Sequence, residues 1–91
     1  MPVVEREITV INKLGLHARA AAKLVTLASR FTSEIRLTRG ERTVNGKSIM
    51  GVLMLAAARG TVLLVSADGD DAGQAIDSIE DLINSRFGED T

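Results

Sequence analysis

The residue of this chain most able to do covalent chemistry is one histidine, and an arginine stands two positions after it. His17 is the only imidazole; it follows the turn-forming Gly15 and precedes Ala18–Arg30, a stretch rich in helix-forming Ala, Leu and Lys. His17 therefore stands at or beside a helix N-terminus. The usual caps there are Ser, Thr, Asp and Asn, so stability alone does not explain a histidine. The alternative interpretation is that His17 is an ordinary capping or surface residue with no chemical role.

That position suits an anion. A helix N-terminus presents unpaired backbone N–H groups and a partial positive charge, which together bind phosphate and favour a neutral, nucleophilic imidazole. The amides of Ala18, Arg19 and Ala20 would be the donors, and the Arg19 guanidinium would pair with phosphate oxygens. Histidine forms covalent intermediates. Positions 13 to 22 hold no carboxylate, so a Ser-His-Asp triad would need a distant acid. We expect a site that holds a phosphoryl group rather than hydrolysing it.

A second candidate is Ser48. The run Gly46-Lys47-Ser48 is not a P-loop, because that motif needs Gly at position 41, where Glu41 stands. Ser48 is expected to cap a short apolar helix, and capping does not exclude phosphorylation. The side chains that follow it are more apolar than a two-turn surface helix needs. They are either core residues or a docking patch beside His17.

The hydrophobic pattern supplies the elements that would position these residues. Period-two segments predict strands, and apolar stripes at spacings of three and four predict helices. The turn Asp68–Asp71 offers carboxylates that suit the N-terminus of the last helix. The order β-α-β-β-α-β-α predicts an α+β fold, with one sheet of four mostly antiparallel strands and the helices on one face. The expected strands are Glu5–Ile11, Ser33–Arg39, Thr43–Asn45 and Thr61–Ala67, and the first two expected helices are Ala18–Arg30 and Ser48–Leu55. The last expected helix starts at Ala72, carries its apolar stripe to Ile83 and ends near Arg86 and Gly88.

Length and composition bound the function. The 91 residues allow one domain, 1–91, with little room for an enclosed cleft. The net charge of −1 and only two aromatic residues disfavour nucleic-acid binding. With no Cys and one His, no metal site is expected. No signal peptide and no membrane-length apolar run is present in the sequence, so we expect a cytoplasmic protein.

Two segments resemble those of a known family. Gly15–Ala21, with the sequence Gly-Leu-His-Ala-Arg-Ala-Ala, resembles the active-site segment of the histidine-containing phosphocarriers, HPr. Lys47–Leu53 resembles the segment around that family's regulatory serine, and the separation of 31 residues between His17 and Ser48 also fits. The resemblance covers nearly the whole chain. It implies an open-faced β-sandwich of four antiparallel strands with three helices on one face, and no cofactor.

The resemblance also implies a function. The chain would be a carrier, not an enzyme, that accepts a phosphoryl group on Nδ1 of His17 from phosphorylated enzyme I, which draws on phosphoenolpyruvate. It would pass the group to IIA proteins of the sugar phosphotransferase system. Arg19 would contact the phosphate, and a serine kinase or phosphorylase would act on Ser48 and so control transfer. A monomer is expected, with no nucleic acid or membrane as partner. Docking would use Leu16, Ile49, Met50 and Leu53.

Two positions depart from the family pattern. Ala20 stands where many members have Pro, and Leu14 stands where many have Ser or Asn, which removes one polar partner of the imidazole. Both features resemble a proteobacterial branch that includes a nitrogen-related carrier. A nitrogen-related path not coupled to sugar uptake is therefore one alternative. Another is a regulatory binding module controlled by phosphorylation of Ser48, with His17 incidental. A nucleic-acid-binding α+β domain is the third.

Overall fold

A computed structural model describes residues 3–91. A short 3₁₀ turn, Arg86–Gly88, follows the last helix. The element order matches the one expected from the sequence, and most boundaries shift by no more than two residues. The elements are β1 (Val3–Thr9), α1 (Ala18–Ala28), β2 (Glu34–Arg39), β3 (Arg42–Asn45), α2 (Ile49–Met54), β4 (Val62–Asp68) and α3 (Ala72–Asn84).

The four strands form one antiparallel sheet in the order β1-β4-β2-β3. Strand β4 lies between β1 and β2, with Leu63 opposite Ile8 and Ala67 opposite Ile35. Its aliphatic composition fits that central place, because a central strand is paired along both edges. The expected α+β class and antiparallel sheet are confirmed.

The helices bury their apolar stripes on one side of this sheet. Alanines are prominent in the α1 stripe, and their small side chains let the helix pack closely; Ala20 and Ala21 are fully buried. The predicted α3 stripe is buried as well, with Leu82 only partly so. The buried residues of the two helices are Ala20, Ala21, Leu24 and Ala28 in α1 and Ala72, Ala75, Ile76, Ile79 and Ile83 in α3.

Helix α1 ends at Ala28, two residues before the predicted end. The amide of Arg30 donates to the carbonyl of Leu27 at 3.0 Å, and the amide of Phe31 donates to Ala28 at 3.2 Å. These bonds span three residues instead of four, so the last turn tightens and the helix stops. Composition alone favours a helix as far as Arg30, but the chain turns away after Ala28 to enter the sheet, and the helix ends there.

The turn Asp68–Asp71 was expected to bring carboxylates to the N-terminus of α3, and Asp71 lies there. Asp71 holds the N-cap position, but its side chain makes no capping bond. Its oxygens instead accept from the amides of Thr32 and Ser33, at 2.8 and 3.0 Å, and from Ser33 Oγ at 2.5 Å. Asp71 therefore ties the chain entering β2 to the start of α3.

These hydrogen bonds, led by that from the Ser33 hydroxyl and followed by that from the Thr32 amide, lower the pKa of Asp71 from 3.8 to about 2. A depressed carboxyl pKa contributes stability that is present above the unfolded-state value and is lost as pH falls through the folded-state value. Asp71→Asn should therefore lower the melting temperature at pH 6, and the deficit should shrink between pH 4 and about 2. Melting curves across this range, with the exposed neighbour variant Asp70→Asn as control, test this. A deficit that is the same at every pH would contradict it.

Candidate functional site

The approach to α1 is fixed by a tight turn. Gly15 has φ +65°, and a Cβ there would lie 2.5 Å from the carbonyl oxygen of Ala57, so glycine is required on both counts. The amide of Leu16 donates to that same carbonyl at 2.9 Å, and the Leu16 side chain is buried. The chain is thus anchored immediately before His17, and the helix begins on the next residue.

His17 is the N-cap of α1, as the sequence predicts. Its backbone is extended (φ −73°, ψ 178°), and its carbonyl accepts from the amide of Ala21 at 2.8 Å. Its side chain makes no capping bond. Within residues 3–91 the structure shows no acceptor for the amides of Ala18, Arg19 and Ala20. Ala18 and Arg19 are exposed, so their two amides remain for an anion at this end of the helix, whereas Ala20, the third expected donor, is fully buried.

The Arg19 guanidinium adds positive charge beside these donors. Its side chain is exposed, and within the described chain it makes no hydrogen bond or ion pair. The first turn of α1 carries no acidic residue that would neutralise it. An open depression on the surface connects the two groups, and its lining residues are Leu14, His17, Ala18, Arg19, Glu89 and Thr91. This arrangement can hold a phosphate against an imidazole without enclosing a substrate.

The structure adds one site residue that the sequence did not indicate. Glu89 lies 72 positions from His17 along the chain, yet its Oε2 is 2.5 Å from the His17 Nε2. Its Oε1 accepts from Asn12 Nδ2 at 3.0 Å. The bonds from His17 and then from Asn12 lower the pKa of the Glu89 carboxyl. No local pattern marks this acid; with Leu14 giving the imidazole no polar partner, Glu89 supplies one.

Ser48 is the N-cap of α2, as predicted, and its Oγ accepts from the amide of Gly51 at 3.1 Å. The other end of α2 is held by two arginines of the β2–β3 hairpin. Arg42 donates to the carbonyl of Met54 and Arg39 donates to that of Leu55, both at 2.8 Å. Cations are favourable at a helix C-terminus, so this short helix is fixed at both ends despite its Gly51.

The predicted docking residues separate into surface and core. Ile49 and Met50 are exposed, at 42% and 65%, and Leu53 is partly buried against the core. Leu16 was expected in this set, but it is only 5% exposed and belongs to the core. Its burial anchors the turn before His17, so it has no surface to offer a partner.

Neither a metal site nor a membrane span is found in the part of the chain that the structure describes. No group of three or more His, Asp or Glu side chains among residues 3–91 is arranged to hold a metal ion. None of the helices in the same range has the length and apolar character needed to cross a bilayer.

Comparisons with known proteins agree with this geometry. A family model described as "PTS HPr component phosphorylation site" matches residues 4–85. The "Phosphocarrier protein HPr" of Neisseria meningitidis serogroup A is 52% identical over 87 residues, covering 96% of this chain and 98% of the relative. The "Phosphocarrier protein NPr" of Shewanella violacea is 44% identical over 89 residues, covering 98% of both.

The solved structures show the same fold. The crystal structure of HPr from Thermoanaerobacter tengcongensis superposes with a TM-score of 0.94 at 46% identity, covering 97% of this chain and 99% of that one. The open-faced sandwich expected from the sequence is thereby confirmed. Because the family model spans most of the chain and near-full-length relatives share about half of its residues, the chain belongs to the HPr family of phosphocarrier proteins.

Proposed function

We propose that the chain accepts a phosphoryl group on Nδ1 of His17 from phosphorylated enzyme I and passes it to IIA proteins of the sugar phosphotransferase system. The Nδ1 lone pair forms a bond to phosphorus as the bond between phosphorus and the donor breaks, and the donor keeps that electron pair. No cofactor takes part. Residues 1–91 would act as one monomeric carrier domain in the cytoplasm, and donor and acceptor proteins would supply the rest of each transfer site.

The observation that carries this proposal is the helix N-terminus beside His17. The unpaired amides of the exposed Ala18 and Arg19 would bind the phosphoryl oxygens, and the Arg19 guanidinium would balance their charge. No nucleophilic hydroxyl is hydrogen-bonded to the imidazole among residues 3–91, which fits a carrier better than a hydrolase. The exposed Ile49 and Met50 would form part of the docking surface for both partners.

His17→Ala should abolish labelling of the protein by radioactive phosphoenolpyruvate and enzyme I, because the acceptor nitrogen is removed. Ser48→Ala is the matched control and should label like the parent. Circular dichroism verifies that both variants are folded. Labelling of folded His17→Ala at the parent level would contradict the proposal.

Arg19→Ala should slow phosphoryl transfer about tenfold, since a charge-assisted hydrogen bond contributes about 1.5 kcal/mol or more and 1.4 kcal/mol is a factor of ten. The deficit should shrink at high salt, because exposed charges are screened. Arg30→Ala is the control, because it removes an exposed arginine that lies beyond the opposite end of α1. Equal transfer rates for parent and Arg19→Ala in stopped-flow measurements would remove Arg19 from the mechanism.

We also propose that Ser48 is a phosphorylation site that regulates transfer. A phosphate on Ser48 would stay compatible with the N-cap position, but its charge would lie next to the apolar Ile49 and Met50. Ser48→Asp should therefore raise the dissociation constant for enzyme I, while Ser48→Asn, an uncharged capping residue, should not. Calorimetric titration compares the two, and equal affinities would contradict the regulatory role.

The nitrogen-related branch is the second candidate. Its basis is the pair of departures from the family pattern: Leu14 is 65% exposed and offers no polar atom to His17, and the buried Ala20 replaces Pro. Transfer assays with the IIA proteins of both branches from the same cell separate the candidates. Faster transfer to the sugar-specific acceptors supports the proposal, and faster transfer to the nitrogen-related acceptor supports the alternative.

A further inference from the structure

The segment that follows α3 is built to return to the first helix. Arg86 and Phe87 both adopt positive φ, 58° and 56°, a conformation that residues with side chains seldom take. Phe87 is only 1% exposed, so its ring anchors the segment in the core. Lys23 Nζ of α1 contacts the Phe87 carbonyl at 2.5 Å, and the amide of Lys13 donates to the carbonyl of Thr91 at 3.1 Å. The segment is therefore held on both sides of Glu89.

Glu89 is held between two partners. Its Oε2 is 2.5 Å from His17 Nε2, and its Oε1 accepts from the fully buried Asn12. Asn12 in turn is held by donating to the Gly15 carbonyl at 2.9 Å. The side chains of His17 and Glu89 remain 29% and 17% exposed. The contact thus lies at the surface, but a buried amide and an anchored backbone fix the carboxylate.

This contact determines which imidazole nitrogen is free. An ionised carboxylate only accepts hydrogen bonds, so the proton of a neutral His17 ring belongs on Nε2. Nδ1 is then left with its lone pair. Bonds from His17 and Asn12 lower the pKa of Glu89, which keeps the carboxylate ionised at neutral pH.

We propose that Glu89 is a positioning residue that selects the Nε2–H tautomer of His17, with Asn12 holding Glu89 in place. The tautomer claim stands on the contact itself, and its consequence for transfer rests on the proposed function. When Nδ1 bonds to phosphorus and the donor keeps the electrons of the broken bond, the ring gains positive charge while its proton stays on Nε2. Glu89 stabilises that charge from the side of the ring away from the phosphoryl group.

The test combines two measurements on Glu89→Ala and Glu89→Gln. Nitrogen-15 shifts of labelled His17, read for the neutral ring, should show the Nε2–H form alone in the parent. A measurable share of Nδ1–H should appear in Glu89→Ala. Phosphoryl transfer from enzyme I should slow about tenfold in Glu89→Ala, the loss expected for a hydrogen bond to a charged group. Glu89→Gln can still accept a hydrogen bond but lacks the charge. Its transfer rate and its share of Nδ1–H should therefore lie between those of the parent and of Glu89→Ala.

Asp90→Ala is the matched control, because it removes the same charge one residue away from a side chain with no bond to His17. Asp90→Ala should show the same His17 tautomer and the same rate of phosphoryl transfer as the parent. An unchanged tautomer in Glu89→Ala overturns the inference, and so does faster transfer, which would mean that the carboxylate obstructs the incoming phosphoryl group. If the parent itself accepts no phosphoryl group, the proposed function fails, while the tautomer measurement still decides the role of Glu89.

Discussion

An α-helix leaves the N–H groups of its first turn without partners in the helix, and something outside the helix must satisfy them. In α1 the capping side chain does not do so. His17 occupies the N-cap with an extended backbone, and its imidazole is turned to other contacts. The donors of the exposed Ala18 and Arg19 are left for water or an anion. The Gly15 turn and the packing of α1 on the core keep this helix end at the surface.

The two sides of the imidazole have opposite electrostatic character. The helix N-terminus and Arg19 supply positive charge, where the proposed phosphoryl group would bind, while Glu89 supplies negative charge at Nε2. A phosphoryl group and a carboxylate would repel each other if they shared one nitrogen. Placing the carboxylate on Nε2 separates them across the ring and allows both to contact it. The strained turn at Arg86 and Phe87 and the buried Asn12 are the structural features that hold this arrangement.

The local sequence pattern predicted most of the fold and the placement of His17 and Ser48, but not the carboxylate that contacts the imidazole. Periodicity located each strand and helix, and the placement of His17 and Ser48 at helix N-termini followed from turn residues followed by helix formers. Contacts between residues far apart in sequence could not be predicted. Glu89 reaches His17 across 72 positions through a turn with positive φ at two non-glycine residues, which no propensity indicates. The oxygens of Asp71 likewise bind Thr32 and Ser33 instead of their own helix. Leu16 was misassigned because an apolar residue within a motif fits core and surface equally well until packing is known.

The most direct test is to identify the nitrogen that carries phosphorus. The protein labelled with nitrogen-15 in histidine is phosphorylated with phosphoenolpyruvate and enzyme I, and the nitrogen–phosphorus coupling is measured by nuclear magnetic resonance. The account predicts coupling to Nδ1 of His17, with the proton retained at Nε2 beside Glu89. Coupling to Nε2 would contradict it, because that nitrogen would then have had to leave the carboxylate to react.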